Sequence, residues 1–262
     1  LLEKLPEAGP AQRALVFKLA PESDQAADIL RREAKALEEK AKRIRELAVA
    51  VHARRVQEEL KKAVQVEDKP IDLMRVALLI ARLDNDEVNV DGYLAQIDRM
   101  ARDIETGLPK SASESARLEA LNKHLFKELG FHGSRSNYYS RSNGYMNETI
   151  DDREGLPITM SVLYIELARR LKLNVVGVGL PGHFVVRHEP KTGDKQLIDV
   201  FDQGRVMSDD EALGIIRSRL RGEMKPDEIR EIADQFLEAS TPKAIVTRML
   251  TNLRGMAERE RD

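Results

Sequence analysis

The chain has 262 residues, 42% hydrophobic and 34% charged, with 43 Lys and Arg against 45 Asp and Glu and a formal net charge of -2. So even a balance gives no global reason to expect nucleic-acid or membrane-surface binding, and no run reaches the ~18 apolar residues of a transmembrane helix. Cysteine is absent, which removes disulfides, cysteine-ligated metal clusters and any thiol nucleophile.

The first third reads as helix. Over 27–51 a heptad pattern places Ala27, Ala34, Ala41 and Ala48 at one seam position and Leu30, Leu37, Ile44 and Val51 at the other. This narrow stripe suits one helix lying along another, either within the chain or in a homodimer through residues 27–51. "DKPIDLMRVALLIARLDN" is a second helix, apolar on more than one side, with Pro70 near its first turn. A third, "VNVDGYLAQIDRMARDIE", follows a turn expected at Asp91 and Gly92 and stops at Gly107 and Pro109. "SASESARLEALNKHLFKELGF" is a fourth, with Ser113 as N-cap and Gly130 as its stop.

The segment "FHGSRSNYYSRSNGYMN", 131–147, is rich in Ser, Asn, Gly and Tyr without helical period, and is expected to be an ordered loop. "LPITMSVLYIELARRLKL" then reads as a buried helix with Pro157 in its first turn. "NVVGVGL", "HFVVRHE" and "QLIDVFD" read as short strands, the last two joined by a hairpin loop at 191–194. A helix capped by Ser208 and a last helix with Pro242 just inside its start follow. The last is still amphipathic near residue 262, so the natural chain is expected to continue. The pattern predicts an α+β fold, a buried helix with a small antiparallel sheet embedded in helices, after a long N-terminal helical region.

Candidate chemistry concentrates in 150–205. His183 is expected to open a strand, and Asp199 lies within the next one among apolar neighbours. An antiparallel pair would set the carboxylate against the imidazole, orienting it and raising its basicity. The helix start at "REGLPITMS" adds the backbone donors that favour developing negative charge. Asn137, Tyr138, Tyr139, Asn143 and Asn147 would either hold peptide backbone in a cleft or satisfy their own loop. His188, His132, His124 and His52 show no metal-ligand spacing, so no metal and no cofactor are expected.

"SNGYMNETIDDREGLPITMSVLYIELARRLKLNVVGVGLPGHFVVR" resembles the SirB-type transglutaminase-like family, which shows Gly-Ile-Pro-Ile-Ser at a helix start and then Pro-Gly-His-Phe. The resemblance runs over roughly 70–256 and omits the heptads. With the helical pattern it divides the chain into four expected parts: a heptad-containing helical extension over 1–66, a helical subdomain over 67–130, the transglutaminase-like core over 131–207, and C-terminal helices over 208–262. The wider superfamily uses a Cys at a helix N-terminus, then His and Asp on successive strands. The resemblance aligns these with Pro157, His183 and Asp199, so the nucleophile position holds a proline. Ser161, one turn along the same helix face, is the residue that would replace the thiol; otherwise it is a small core residue. Thr159 points elsewhere on that helix.

Family members often carry tetratricopeptide-like helices beyond this region, and a branch occurs in F-box proteins. The resemblance therefore implies a non-catalytic module for an unknown protein or peptide, with Pro157 and the Asn/Tyr loop in its binding surface. The alternative is an amide or ester hydrolase using His183, Asp199 and either Ser161 or an activated water. A third reading is a structural dimerisation element. A cytoplasmic protein is the default expectation, and the opening "LLEKLPEAGP", without Met, leaves an exported form open.

Overall fold

The structure, a computed structural model, describes residues 9–19, 23–65, 71–220 and 226–260. Two compact units result, Leu1–Arg54 and Arg55–Asp262. The expected first-turn Pro70 lies outside the described residues.

The first unit contains helix α1, Pro10–Leu19, and most of helix α2, Ser23–Val64. Along α2, short-range pairs such as Asp28 with Arg31 and Lys42 with Glu46 add a few tenths of a kcal/mol each. The heptad stripe is uncovered: Leu30 is 37% exposed, Leu37 55%, Ile44 59% and Val51 63%. The sequence pattern made a helix; no second helix covers its seam among the described residues.

In the second unit the end of α2 is packed, with Val56 buried and Leu60, Ala63 and Val64 against the core. Helix α3, Leu73–Arg82, is apolar nearly all round and buries all but two of its residues. The Asp72 carboxylate accepts the Arg75 N–H and starts it. Helix α4, Val90–Thr106, corrects the expected turn at Asp91 and Gly92, because both residues lie in its first helical turn. Asn89 is the cap, its side-chain oxygen accepting the Gly92 N–H at 3.0 Å. A Cβ on residue 92 would sit 2.9 Å from Asn89 Nδ2, so glycine makes room for the cap. Helix α5, Glu114–Asn122, is capped by Ser113 and widens into a π-turn over Lys123–Glu128. Gly130, at φ +75°, then ends it in the left-handed conformation that glycine adopts without strain.

The expected loop 131–147 is more ordered than its composition implied. It contains strand β1, His132–Gly133, a 3₁₀ turn over Arg141–Gly144, and the start of helix α6, Met146–Asp152. Strand β1 pairs in parallel with β2, Glu154–Gly155, so partners distant in sequence supply the order.

Helix α7, Pro157–Arg170, carries proline at its first position and is buried from Pro157 to Ala168. Its weak periodicity follows from being surrounded. Beside it lies an antiparallel sheet in the order β3-β4-β5-β6, built from Val175–Val178, Val185–His188, Gln196–Asp199 and Arg205–Met207. Strand β6 carries no sequence signal, since two of its three residues are exposed. The sheet's side chains alternate between two cores: Val186 and Ile198 join α7, whereas Val185 and Leu197 meet Ala212, Ile216 and Ile229. Those last three belong to helices α8, Asp209–Leu220, and α9, Pro226–Leu237. Helix α10, Pro242–Arg259, capped by Thr241, closes over α7 and the 3₁₀ turn. The result is an α+β fold, and among the described residues no helix is long and apolar enough to cross a membrane.

Candidate functional site

The Pro181–Gly182 turn, with Gly182 at φ +69°, presents His183 two residues before β4 begins, so the histidine precedes the strand instead of opening it. Its Nε2 lies 2.9 Å from Asp199 Oδ2. Asp199 ends β5, is 6% exposed, and through Oδ1 accepts the Asp202 N–H at 3.2 Å. The carboxylate is thus held by its strand and the following turn. Opposite strands normally bring opposed residues together; here the bond reaches from the turn ahead of β4.

Arg248, on α10, clamps that turn. Its Nη2 donates to the carbonyls of Leu180 at 2.9 Å and His183 at 2.6 Å. Burial lowers the pKa of this guanidinium, and no carboxylate pairs with it among the described residues.

His183 lines a cavity of about 550 Å³ together with Pro157, Tyr138, Phe201, Arg219 and Arg248. The His183 ring meets Phe201 edge to face at 6.1 Å, and Phe201 meets Tyr138 at 6.2 Å. Gly133 in β1 admits this aromatic wall, because a Cβ there would lie 2.3 Å from the Phe201 ring. Burial raises the Tyr138 pKa, and the phenol stays neutral.

The expected site residues separate into two groups. His183, Pro157, Tyr138 and Tyr139 share the cavity, and Asp199 stands behind His183. Asn143, Asn147 and Ser161 are buried away from its lining. Asn143 Nδ2 donates to Ser134 Oγ at 3.0 Å and to the Asn137 carbonyl at 2.7 Å, while Asn147 donates to Glu148. These amides satisfy their own loop, and Asn137 contributes its carbonyl to that same network. Ser161 is 0% exposed and its Oγ has no hydrogen-bond partner. The Thr159 hydroxyl donates to the Asn143 carbonyl at 3.0 Å, tying α7 to the 3₁₀ turn.

The remaining histidines stand apart. His188 ends β4, buried, and desolvation lowers its pKa; His124 pairs with Glu128 at 2.8 Å. Phe201, Arg219, Arg248 and Asn252 line the cavity without having been singled out in the sequence. Arg248 and Asn252 come from an ordinary amphipathic helix, and only packing brings that face to the turn.

The profile of the Transglutaminase-like superfamily matches residues 91–251, more than half of the chain, and the chain belongs to that superfamily. The UPF0162 protein of Xylella fastidiosa strain 9a5c is 33% identical over 191 residues, covering 73% of this chain and 66% of the relative. The chain thus spans just under two thirds of that relative's length. The Vibrio cholerae UPF0162 protein is 25% identical over 116 residues, 44% of this chain and 43% of the relative. Human F-box only protein 21 is 37% identical over 89 residues, which are 34% of this chain and 14% of that protein. No solved structure matches the chain.

Proposed function

We propose that this chain is a SirB-type, cysteine-less transglutaminase-like domain that binds a protein or peptide segment without transforming it. The reading rests on one observation. The start of α7 contributes Pro157, a residue with no reactive side chain, to the same cavity as His183. The Ser161 hydroxyl, the substitute nucleophile, is sealed in the core. Aromatic rings and a largely buried imidazole line the rest of the cavity, surfaces suited to holding side chains and backbone amides. The reading requires no cofactor and no nucleic acid. In it the chain is organised as a 1–66 extension, a 67–130 helical subdomain, the 131–207 core and the 208–262 helices.

One observation favours a second reading. The His183–Asp199 pair, 2.9 Å apart beside an open cavity, has the geometry of an oriented base. It would deprotonate a water that attacks an amide or ester carbonyl, and His183 would return the proton to the leaving group. The serine version requires Ser161 to leave the core.

A panel of esters and peptides assayed with the wild-type chain and with His183→Ala separates these readings. The binding reading expects no turnover above background from either protein. Turnover by the wild type that His183→Ala abolishes, with the fold retained, sinks it. Peptides selected from a display library should lose about tenfold in affinity, ~1.4 kcal/mol, with Phe201→Ala.

A further inference from the structure

Arg219 and Arg248 line the His183 cavity, and neither pairs with a carboxylate among the described residues. An adjoining cavity of about 180 Å³ shares Tyr138, Tyr139 and Asn252 with the first and adds Arg259. Arg259 lies 3.9 Å over the Tyr139 ring, also without an acidic partner. Among the described residues no Asp or Glu lines either cavity. Elsewhere in this unit some arginines pair with carboxylates, such as Arg141 with Asp84, Arg170 with Glu166, Arg187 with Glu189 and Arg205 with Glu211. Others, such as Arg117 and Arg153, donate to backbone carbonyls. What sets the cleft apart is that its cations are gathered on one lining that lacks an acid among the described residues. In a chain of net charge -2, three unmatched guanidinia around one cleft mark a local excess of positive charge. Planar guanidinia offer forked donors that fit carboxylates, and ring-stacked arginine is already oriented to use them.

We propose that the His183 cleft receives an acidic peptide segment, its carboxylates held by Arg219 and Arg259 and its backbone laid along Tyr138 and Tyr139. This rests on the binding reading above and names its ligand class. Arg248 sets the field but is committed to the turn, so it is left unchanged in the test.

Fluorescence anisotropy with an Asp/Glu-rich peptide, its Asn/Gln isostere and a Lys-rich peptide supplies the measurement. The acidic peptide should bind at least about tenfold tighter than the isostere, and more weakly as salt rises. The double variant Arg219→Gln/Arg259→Gln should reduce it to the isostere's level. Equal binding of acidic peptide and isostere overturns the acidic ligand while leaving peptide binding standing. Tighter binding of a single-stranded oligonucleotide overturns the ligand class. Failure of every peptide overturns both.

The uncovered stripe of α2 carries a second, independent inference. With alanine at 27, 34 and 41 and a large residue at 30, 37 and 44, a parallel pair alternates Ala–Ala layers with large–large layers of unequal width. An antiparallel pair sets alanine against a large residue in every layer. The flanking charges agree. In register and parallel, Glu33 would face Glu38 and Lys40 would face Arg45 of the second copy. Antiparallel, with Ala34 facing Leu37 of the second copy, Glu33 meets Lys40 and Arg31 meets Glu38. The geometry points to an antiparallel homodimer through residues 27–44.

The chain lacks cysteine, so introduced thiols report geometry without background. A mixture of Leu30→Cys and Ala41→Cys chains should cross-link under mild oxidation, whereas Leu30→Cys alone should not. Sedimentation should show a dimer that Leu37→Glu converts to monomer with unchanged helix content. Cross-linking of Leu30→Cys alone means a parallel pair, and a monomeric wild type at high concentration ends the proposal.

Discussion

Helix α2 and helix α7 are opposites in pattern and in fate. Residues 27–51 of α2 carry the cleanest heptad of the chain, yet Leu37 is 55% exposed and Ile44 59%. Helix α7 shows little periodicity, yet twelve consecutive residues from Pro157 to Ala168 are buried. Periodicity measures how many sides of a helix are apolar, and says nothing about whether a partner is present. A helix enclosed by sheet and helices has no polar face to reveal its period.

The sharpest way to break this contrast is truncation in both helices. Leu163→Ala in α7 should cost ~2–5 kcal/mol of unfolding free energy, whereas Leu37→Ala should cost within ~0.5 kcal/mol at concentrations too low for association. Denaturant titration reads both, and equal losses would mean that the α2 stripe is covered. A smaller effect is expected at Asp199. Asp199→Ala leaves His183 and the Asp202 N–H without their acceptor and should cost ~1–3 kcal/mol. A variant as stable as the wild type would show that the pair does not hold the β4 and β5 ends together.

Acid titration gives a third measure. Burial holds the His188 pKa below the ordinary value of 6.5, with Glu114 opposing. The unfolded chain therefore takes up a proton first as pH falls. The contribution is fully present above about pH 6.5 and is lost as pH falls toward the lowered folded value. His188→Leu should flatten that limb of the stability profile, and an unchanged slope would assign it to other groups. The smallest effect belongs to Ser161. Its hydroxyl is buried without a partner, so Ser161→Ala should be neutral or stabilising by up to ~1 kcal/mol. A clear loss of stability would point to a hydrogen bond absent from this structure.

Local signals in the sequence were legible where the physics is local. Ser113 and Ser208 cap their helices, Gly107 and Gly130 stop theirs, and Pro157 and Pro242 occupy first helical positions. The turn expected at Asp91 and Gly92 was misplaced because Asn89, an equally good cap, lies just upstream. Order in 131–147 was hidden because the partner of its strand, Glu154–Gly155, lies outside the segment and its side-chain amide bonds to Ser134 and Asn137 carry no periodic signal. Strand β6 is too short and exposed to announce itself, and helix α9 was passed over among the polar residues that precede it.

By itself the sequence determined the absence of a thiol, the proline at the start of α7, the helical heptads and the candidacy of His183 and Asp199. These follow from residue chemistry and from interactions within a few positions of one another. Tertiary structure decided the rest: a bond between residues 16 apart, an Arg248 clamp from 65 residues further on, and the withdrawal of Asn143, Asn147 and Ser161 from the cleft. Those outcomes depend on which faces of distant elements compete for the same space, and packing settles that competition only once the whole unit has closed.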